Sequence, residues 1–164
     1  MTSVPEINRV LFASYDARQI ETVEEVCLRI SQPLTEWLLL VNINTQRLYA
    51  LQSKNIRYAY PVSTGKNGVG QELDSGQTPL GLHCIGSKIG ADANSWAIFI
   101  SRTTMGQIAT AGVGKNDIVG RILVLHGLEV GFNQGINSEG KIVDTYKRCI
   151  YIHGTSDVFN RLLA

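Results

Sequence analysis

Short apolar runs separated by glycine and asparagine clusters leave this chain few options other than a sheet. Trp37 to Ile43 is rich in strand formers, Asn44-Thr45-Gln46 is polar and turn-like, and Arg47 to Leu51 is apolar again. Together they read as a hairpin. Next, Ile56, Tyr58, Tyr60 and Val62 alternate with Arg57 and Ala59, the pattern of a half-buried strand. Pro61 cannot donate to a ladder, so it puts that strand at an edge or near its end. Further strands are predicted at Leu82–Ile85, Ala97–Ser101, Ile122–His126 and Cys149–His153, with turns at Gly and Asn clusters. The 16 glycines exceed average usage and favour turns over long helices. The expected fold class is mainly β, a sandwich or barrel with one or two short helices.

One helix stands out, Thr22 to Gln32. Thr22 and Glu25 fit a capping box, and Val23, Val26, Cys27 and Ile30 share a face. Pro33 accounts for its end. The helix is expected to cover one face or edge of the sheet. No internal repeat or linker is visible.

Charge and composition exclude several functions. The net charge is +1 and the densest basic pair is Lys147-Arg148, so the electrostatic footprint of a nucleic-acid binder is missing. The purely apolar run Trp37 to Val41, which no other run exceeds, is far too short to span a bilayer. The first residues, MTSVPEINRV, carry neither a basic n-region nor an apolar h-region, so no export signal is read in the chain as written. Cys27, Cys84 and Cys149 form no CxxC pair and no disulfide framework, and are expected to be small buried hydrophobes. No metal site is expected. The glycine-rich loop from Thr64 to Thr78 fits neither phosphate-binding pattern, nor does Gly112-Val113-Gly114-Lys115.

A histidine ends the last predicted strand. Period two puts Cys149, Tyr151 and His153 on one face and Ile150 and Ile152 on the other. His153 is followed by Gly154-Thr155, at a rim that a substrate can reach. Imidazole titrates near neutrality and can serve as a general base. From these residues alone, a structural histidine with a satisfied hydrogen bond is the competing reading.

Three further stretches lie in order along the chain. The first is Tyr60-Pro-Val-Ser-Thr-Gly65 with Gly76-Gln-Thr-Pro-Leu-Gly81-Leu-His83 and Lys88-Ile-Gly90. The second is Leu123-Val-Leu-His-Gly127-Leu-Glu-Val-Gly131-Phe-Asn133. The third is Val143-Asp-Thr-Tyr-Lys-Arg148 running into Ile152-His-Gly-Thr155. In this set the chain resembles the YkuD-type L,D-transpeptidase catalytic domain, from about Trp37 to Asp157. The resemblance implies a β fold with the active site at one end of the sheet, and acyl transfer between peptidoglycan stem peptides through a cysteine thioester. It assigns His153 the general base and puts Gly154 and Thr155 at the substrate. It implies no metal or organic cofactor, and a place in the cell envelope or periplasm, whereas the chain as written reads as cytoplasmic. Residues 1–36 are then an N-terminal extension with one short helix, and 37–164 the catalytic domain.

One departure bears on activity. The family nucleophile lies in a Ser-His-Gly-Cys motif downstream of Ile-His-Gly-Thr, and only residues 154 to 164 follow His153 here. The motif does not occur. The expectation is a catalytic domain truncated before its nucleophile and inactive as given, or a peptidoglycan-binding protein without catalysis. His83-Cys84-Ile85 lacks the glycine of the missing motif. Cys149 and His153, if on one extended strand, are separated by roughly 13 Å, at ~3.3 Å per residue. Cys27 faces the core. His83 and His126 are expected to be framework, and Tyr146, Lys147 and Arg148 a solvated loop face that could instead meet a carboxylate.

Overall fold

A computed structural model describes residues 9–13, 19–33, 35–112 and 117–157. The fold is mainly β, as expected. Among the described residues nine strands share one sheet: β1 (Arg9–Ala13), β2 (Trp37–Asn42), β3 (Arg47–Gln52), β4 (Asn55–Pro61), β5 (Gly81–Ile89), β6 (Ala97–Ile100), β7 (Thr103–Ile108), β8 (Ile118–Gly127) and β9 (Tyr151–Thr155). Their order is β4-β3-β2-β1-β5-β8-β6-β7, and β9 pairs with β8. The 37–51 hairpin is β2 and β3, in register from Trp37 opposite Gln52 to Asn42 opposite Arg47.

The segment ahead of Trp37 supplies more than a helix. β1 lies inside the sheet, parallel to β2 and antiparallel to β5. Val10 and Phe12 join Leu39, Val41, Leu48, Ala50, Ile85 and Leu125 in the core on one face. Leu11 joins Leu38, Leu40, Leu51 and Leu82 on the other, under Cys27 of the helix α1 (Gln19–Arg29). Burying a side chain of this size stabilises a fold by about 1.5–3 kcal/mol, so three of them make β1 integral to the sheet.

The helix differs from the expectation at both ends. It begins at Gln19, so Thr22 lies inside it and is not its cap. At the other end Ser31 turns left-handed, with φ 53°. Its N–H donates to Leu28 O at 3.1 Å and that of Gln32 to Cys27 O at 2.8 Å. This is a Schellman turn, so the helix has closed before Pro33 is reached.

β4 is also corrected. It is exposed along its length instead of half-buried, because β3 is its one neighbouring strand. Tyr58 stacks between Trp37 and Tyr60, with ring centroids 6.4 and 6.3 Å away.

A buried polar network ties the loop after β8 to the start of β5. Asn133 is fully buried. Its Nδ2 donates to Leu80 O and Leu82 O, each at 3.1 Å, and its Oδ1 accepts from Glu129 N at 2.9 Å. Glu129 Oε1 accepts from Leu82 N at 2.8 Å, and Oε2 accepts from Arg29 Nη2 of the helix at 2.7 Å. Each partner is satisfied, which is what makes such a network rigid rather than costly. Gly127 is obligatory here, since a Cβ would sit 2.0 Å from Asn133 O.

His83 is framework, as expected. It is fully buried, edge-on to Phe12. Its Nδ1 lies 2.9 Å from Gly81 O, so Nδ1 carries the proton, and Nε2 lies 3.1 Å from Thr145 Oγ1, whose hydroxyl donates to Asn133 O at 2.9 Å. Burial pushes its pKa down to about 4. The unfolded chain therefore binds this proton more readily than the folded one. The stability contribution is complete above the unfolded value, near 6.5, and is lost as the pH falls through about 4. In full it is on the order of 3 kcal/mol. Denaturant melts between pH 7 and 4 should show this decline, and His83→Gln should flatten it.

Candidate active site

β9 is held by β8 alone among the described strands. Tyr151 lies opposite Val124, Ile152 opposite Leu123 and His153 opposite Ile122, before the register shifts to Val119 opposite Gly154. Ile150 and Ile152 pack on the core beneath. That anchoring turns His153 outward, where it is exposed. Its Nδ1 lies 2.7 Å from Gly154 O. A carbonyl oxygen can only accept, so Nδ1 carries the hydrogen and the Nε2 lone pair is left open.

Gly154 and Thr155 have structural reasons of their own. A Cβ on Gly154 would lie 2.7 Å from Val119 O, so only glycine lets β9 come this close to β8. Thr155 Oγ1 accepts from Asp157 N at 3.1 Å and shapes the turn that follows. Beside it Ser156, almost wholly buried, donates to Asp117 Oδ2 at 2.8 Å and moors the end of the strand.

His153 sits where two lobes of a cleft meet. One, of about 500 Å³, runs between β9 and the 61–65 segment over a floor of Phe12, Val41 and Leu48. The other, of about 790 Å³, runs past Asp74, Gln77 and Thr78 to Lys147, Arg148 and Cys149. Both sizes fall in the range of small-ligand sites. The shared lip, Ser63 to Gly65, is built from backbone. Gln46, left-handed in the β2–β3 turn, accepts from Thr64 N at 2.9 Å through Oε1 and donates to Thr64 Oγ1 at 2.8 Å through Nε2. Gly65 N donates to Thr78 Oγ1 at 2.8 Å. The loop between leads into β5, not into a helix, so no helix N-terminus stands behind its glycines.

None of the three thiols is presented to His153 as a nucleophile. Cys27 is buried and Cys84 half-buried, and burial pushes both pKa values up, away from the reactive thiolate. Cys149 corrects two expectations. It is exposed, not buried. It also precedes β9 with φ 56°, so it does not share a strand face with Tyr151 and His153. Its Sγ turns back towards Lys147 O, at 4.0 Å. Tyr151, half-buried, has its pKa pushed up to about 12, first by burial and then by the neighbouring Cys149, so its hydroxyl stays protonated.

The 146–148 stretch is not a uniform solvated face. Tyr146 stacks on His126 at 4.5 Å between centroids, under the Arg102 guanidinium at 5.3 Å. His126 lies directly across from Cys84, but its ring covers Gly86, where an added Cβ would be 2.2 Å from it. Lys147 N donates to Asp144 Oδ1 at 3.0 Å. Arg148 turns inward to the 70–77 loop. No group of three or more His, Cys, Asp or Glu among the described residues is placed to hold a metal ion.

The family model of the L,D-transpeptidase catalytic domain, YkuD, matches residues 36–162. The chain belongs to this family. Comparison with curated proteins and with solved structures found no match. The YkuD match begins beside Trp37 and so leaves β1 outside it, although β1 is hydrogen-bonded in the middle of the sheet. Its three motif stretches converge: the first forms the lip and loop, the second β8 and the Asn133 network, the third the turn and β9. YkuD-family proteins act on peptidoglycan, and among the described residues no helix is long and apolar enough to cross a membrane. Gln46 was missed from the sequence, as a turn residue with no chemical signature. Thr78 lies in the Gly76-Gln-Thr-Pro-Leu-Gly81 stretch, which gives its hydroxyl no chemical signature.

Gly154→Ala should lower stability by about 1–3 kcal/mol, since the new methyl meets backbone rather than a flexible side chain. It should also shift the His153 imidazole resonances in NMR spectra. An unchanged melt with unchanged resonances would show that β9 has room to spare.

Proposed function

We propose that this domain binds peptidoglycan stem peptides in the two-lobed cleft, with His153 as the general base of L,D-transpeptidase chemistry. The observation that carries this reading is the His153 side chain at the junction of the lobes, its Nδ1 tied to Gly154 O and its Nε2 open. Transpeptidation needs an acyl donor and an amine acceptor to meet at one base, and a cleft with two arms suits that demand. In the family reaction a thiolate attacks the donor carbonyl and the leaving amine takes up a proton, giving a thioester. The acceptor amine then displaces the thiol, passing its own proton to the imidazole. Gly154 and Thr155 support the substrate from the strand end. The place of work on this reading is the cell envelope, where cross-links of this kind maintain cell shape.

The thiol is the part these 164 residues do not offer, because no Ser-His-Gly-Cys occurs in them, Cys27 and Cys84 are withdrawn by burial, and Cys149 Sγ turns back towards Lys147 O. By themselves they are expected to hold stems without turning them over. A second reading, a peptidoglycan-binding protein without catalysis, rests on the same absence.

Two measurements test this. Titration with a tetrapeptide stem, followed through the His153 resonances, should show saturable shifts; none at millimolar peptide would remove stem binding. Mass spectrometry after incubation with tetrapeptide and a D-amino acid should show no exchanged product. If product does form, and Cys84→Ala or Cys149→Ala abolishes it, one of these thiols is the nucleophile after all.

A further inference from the structure

Among the described residues Arg148 is the one arginine lining the cleft. It stands in the larger lobe, five residues before His153. Nη1 donates to Gly70 O at 3.0 Å, and Nη2 to Gln77 O at 2.6 Å and Ser75 Oγ at 3.3 Å. All three acceptors belong to the loop that carries the cleft's far wall, so Arg148 straps that wall to the turn before β9. All three are uncharged. An arginine has five N–H donors, so two have no acceptor among the described residues.

Among the described residues Arg148 takes part in no ion pair. The other ionisable groups lining the lobe are Asp74, Lys147, Cys149, Tyr151 and His153. The carboxylate among them, Asp74, sits on an exposed left-handed turn without bonding to Arg148. Half-burial works against the cation and lowers its pKa. A partly desolvated cation with spare donors is a place where an incoming anion gains more than it does in water. Guanidinium geometry suits a carboxylate, and the wall that Arg148 straps fixes it in place at no further ordering cost.

We propose that Arg148, with Lys147 beside it, anchors a free carboxylate of the peptide ligand in the larger lobe, setting which peptide end lies there while the reacting bond lies at His153. This rests on the reading that the cleft takes stem peptides. The anchor makes the lobe selective for peptides with a free carboxylate over the same peptides carrying an amide. Arg148 thus acts as a positioning residue in two ways, through the wall it straps and through the charge it presents.

The test is calorimetric binding of two tetrapeptide stems that differ at the C-terminus, one a carboxylate and one an amide, to the wild-type chain. The expected result is preference for the carboxylate by on the order of tenfold, the size of a charged hydrogen bond. The preference should shrink as salt is raised. Arg148→Gln should abolish it and Arg148→Lys should keep part of it, since the charge remains while the fork is lost. Hydrogen exchange of the 65–78 loop in each variant reports the strap separately. Equal wild-type binding of both peptides would overturn the anchor and leave stem binding intact. No binding of either would overturn stem binding and the anchor with it. Equal weakening of both peptides by Arg148→Gln would make Arg148 a strap alone. The wild-type comparison decides the matter even where a variant fails to fold.

Discussion

Strand β8 is the constraint on which the rest of this structure depends. Its ten residues pair with β5, β6 and β9. Ile122, Val124 and Leu125 along it are fully buried. A strand paired with three neighbours and buried along most of its length has its register specified from several sides at once. Among the described strands β9 has β8 as its one partner, and so inherits that register. The direction in which His153 points is therefore decided by Ile122 opposite it, and the bulge after Val119 decides where the strand turns away.

The cleft is a consequence of how the loops are tied to this frame. One wall is β9. The other is a loop rich in glycine, which would be mobile if left to itself, and it is held at three places by single side chains: Gln46 at Thr64, Thr78 at Gly65, and Arg148 at Gly70, Ser75 and Gln77. Behind it the Asn133 and Glu129 network fixes the start of β5, with Arg29 of the helix as its outermost member. These loop groups are thus paired within the protein, and a site built in this way needs little ordering when a ligand arrives.

Much of the sheet was legible in the residues. The hairpin at 37–51 and the strands around Leu82, Ala97 and Ile122 announced themselves, because branched and apolar runs between polar turns have few alternatives. β1 was not seen, since five residues such as Arg9–Ala13 carry no periodicity long enough to read and gain their stability from two neighbours distant in sequence. The helix start was misplaced because a capping-box pattern is equally compatible with the interior of a first turn. Cys149 was placed on a strand because alternation assumes extended backbone, and a left-handed residue breaks it without leaving a mark in composition.

The sequence by itself determined a β protein, its family through three ordered motifs, and a histidine beside a glycine at a strand end. Those features are local or lie in runs, so the side chains that carry them are adjacent in the chain. The tertiary structure alone decided which imidazole nitrogen is open, that none of the three thiols is presented to it, and that Arg148 reaches back across more than seventy residues to hold the cleft's wall. Hydrogen bonds between residues that far apart depend on where the chain returns, and neither propensity nor spacing encodes that.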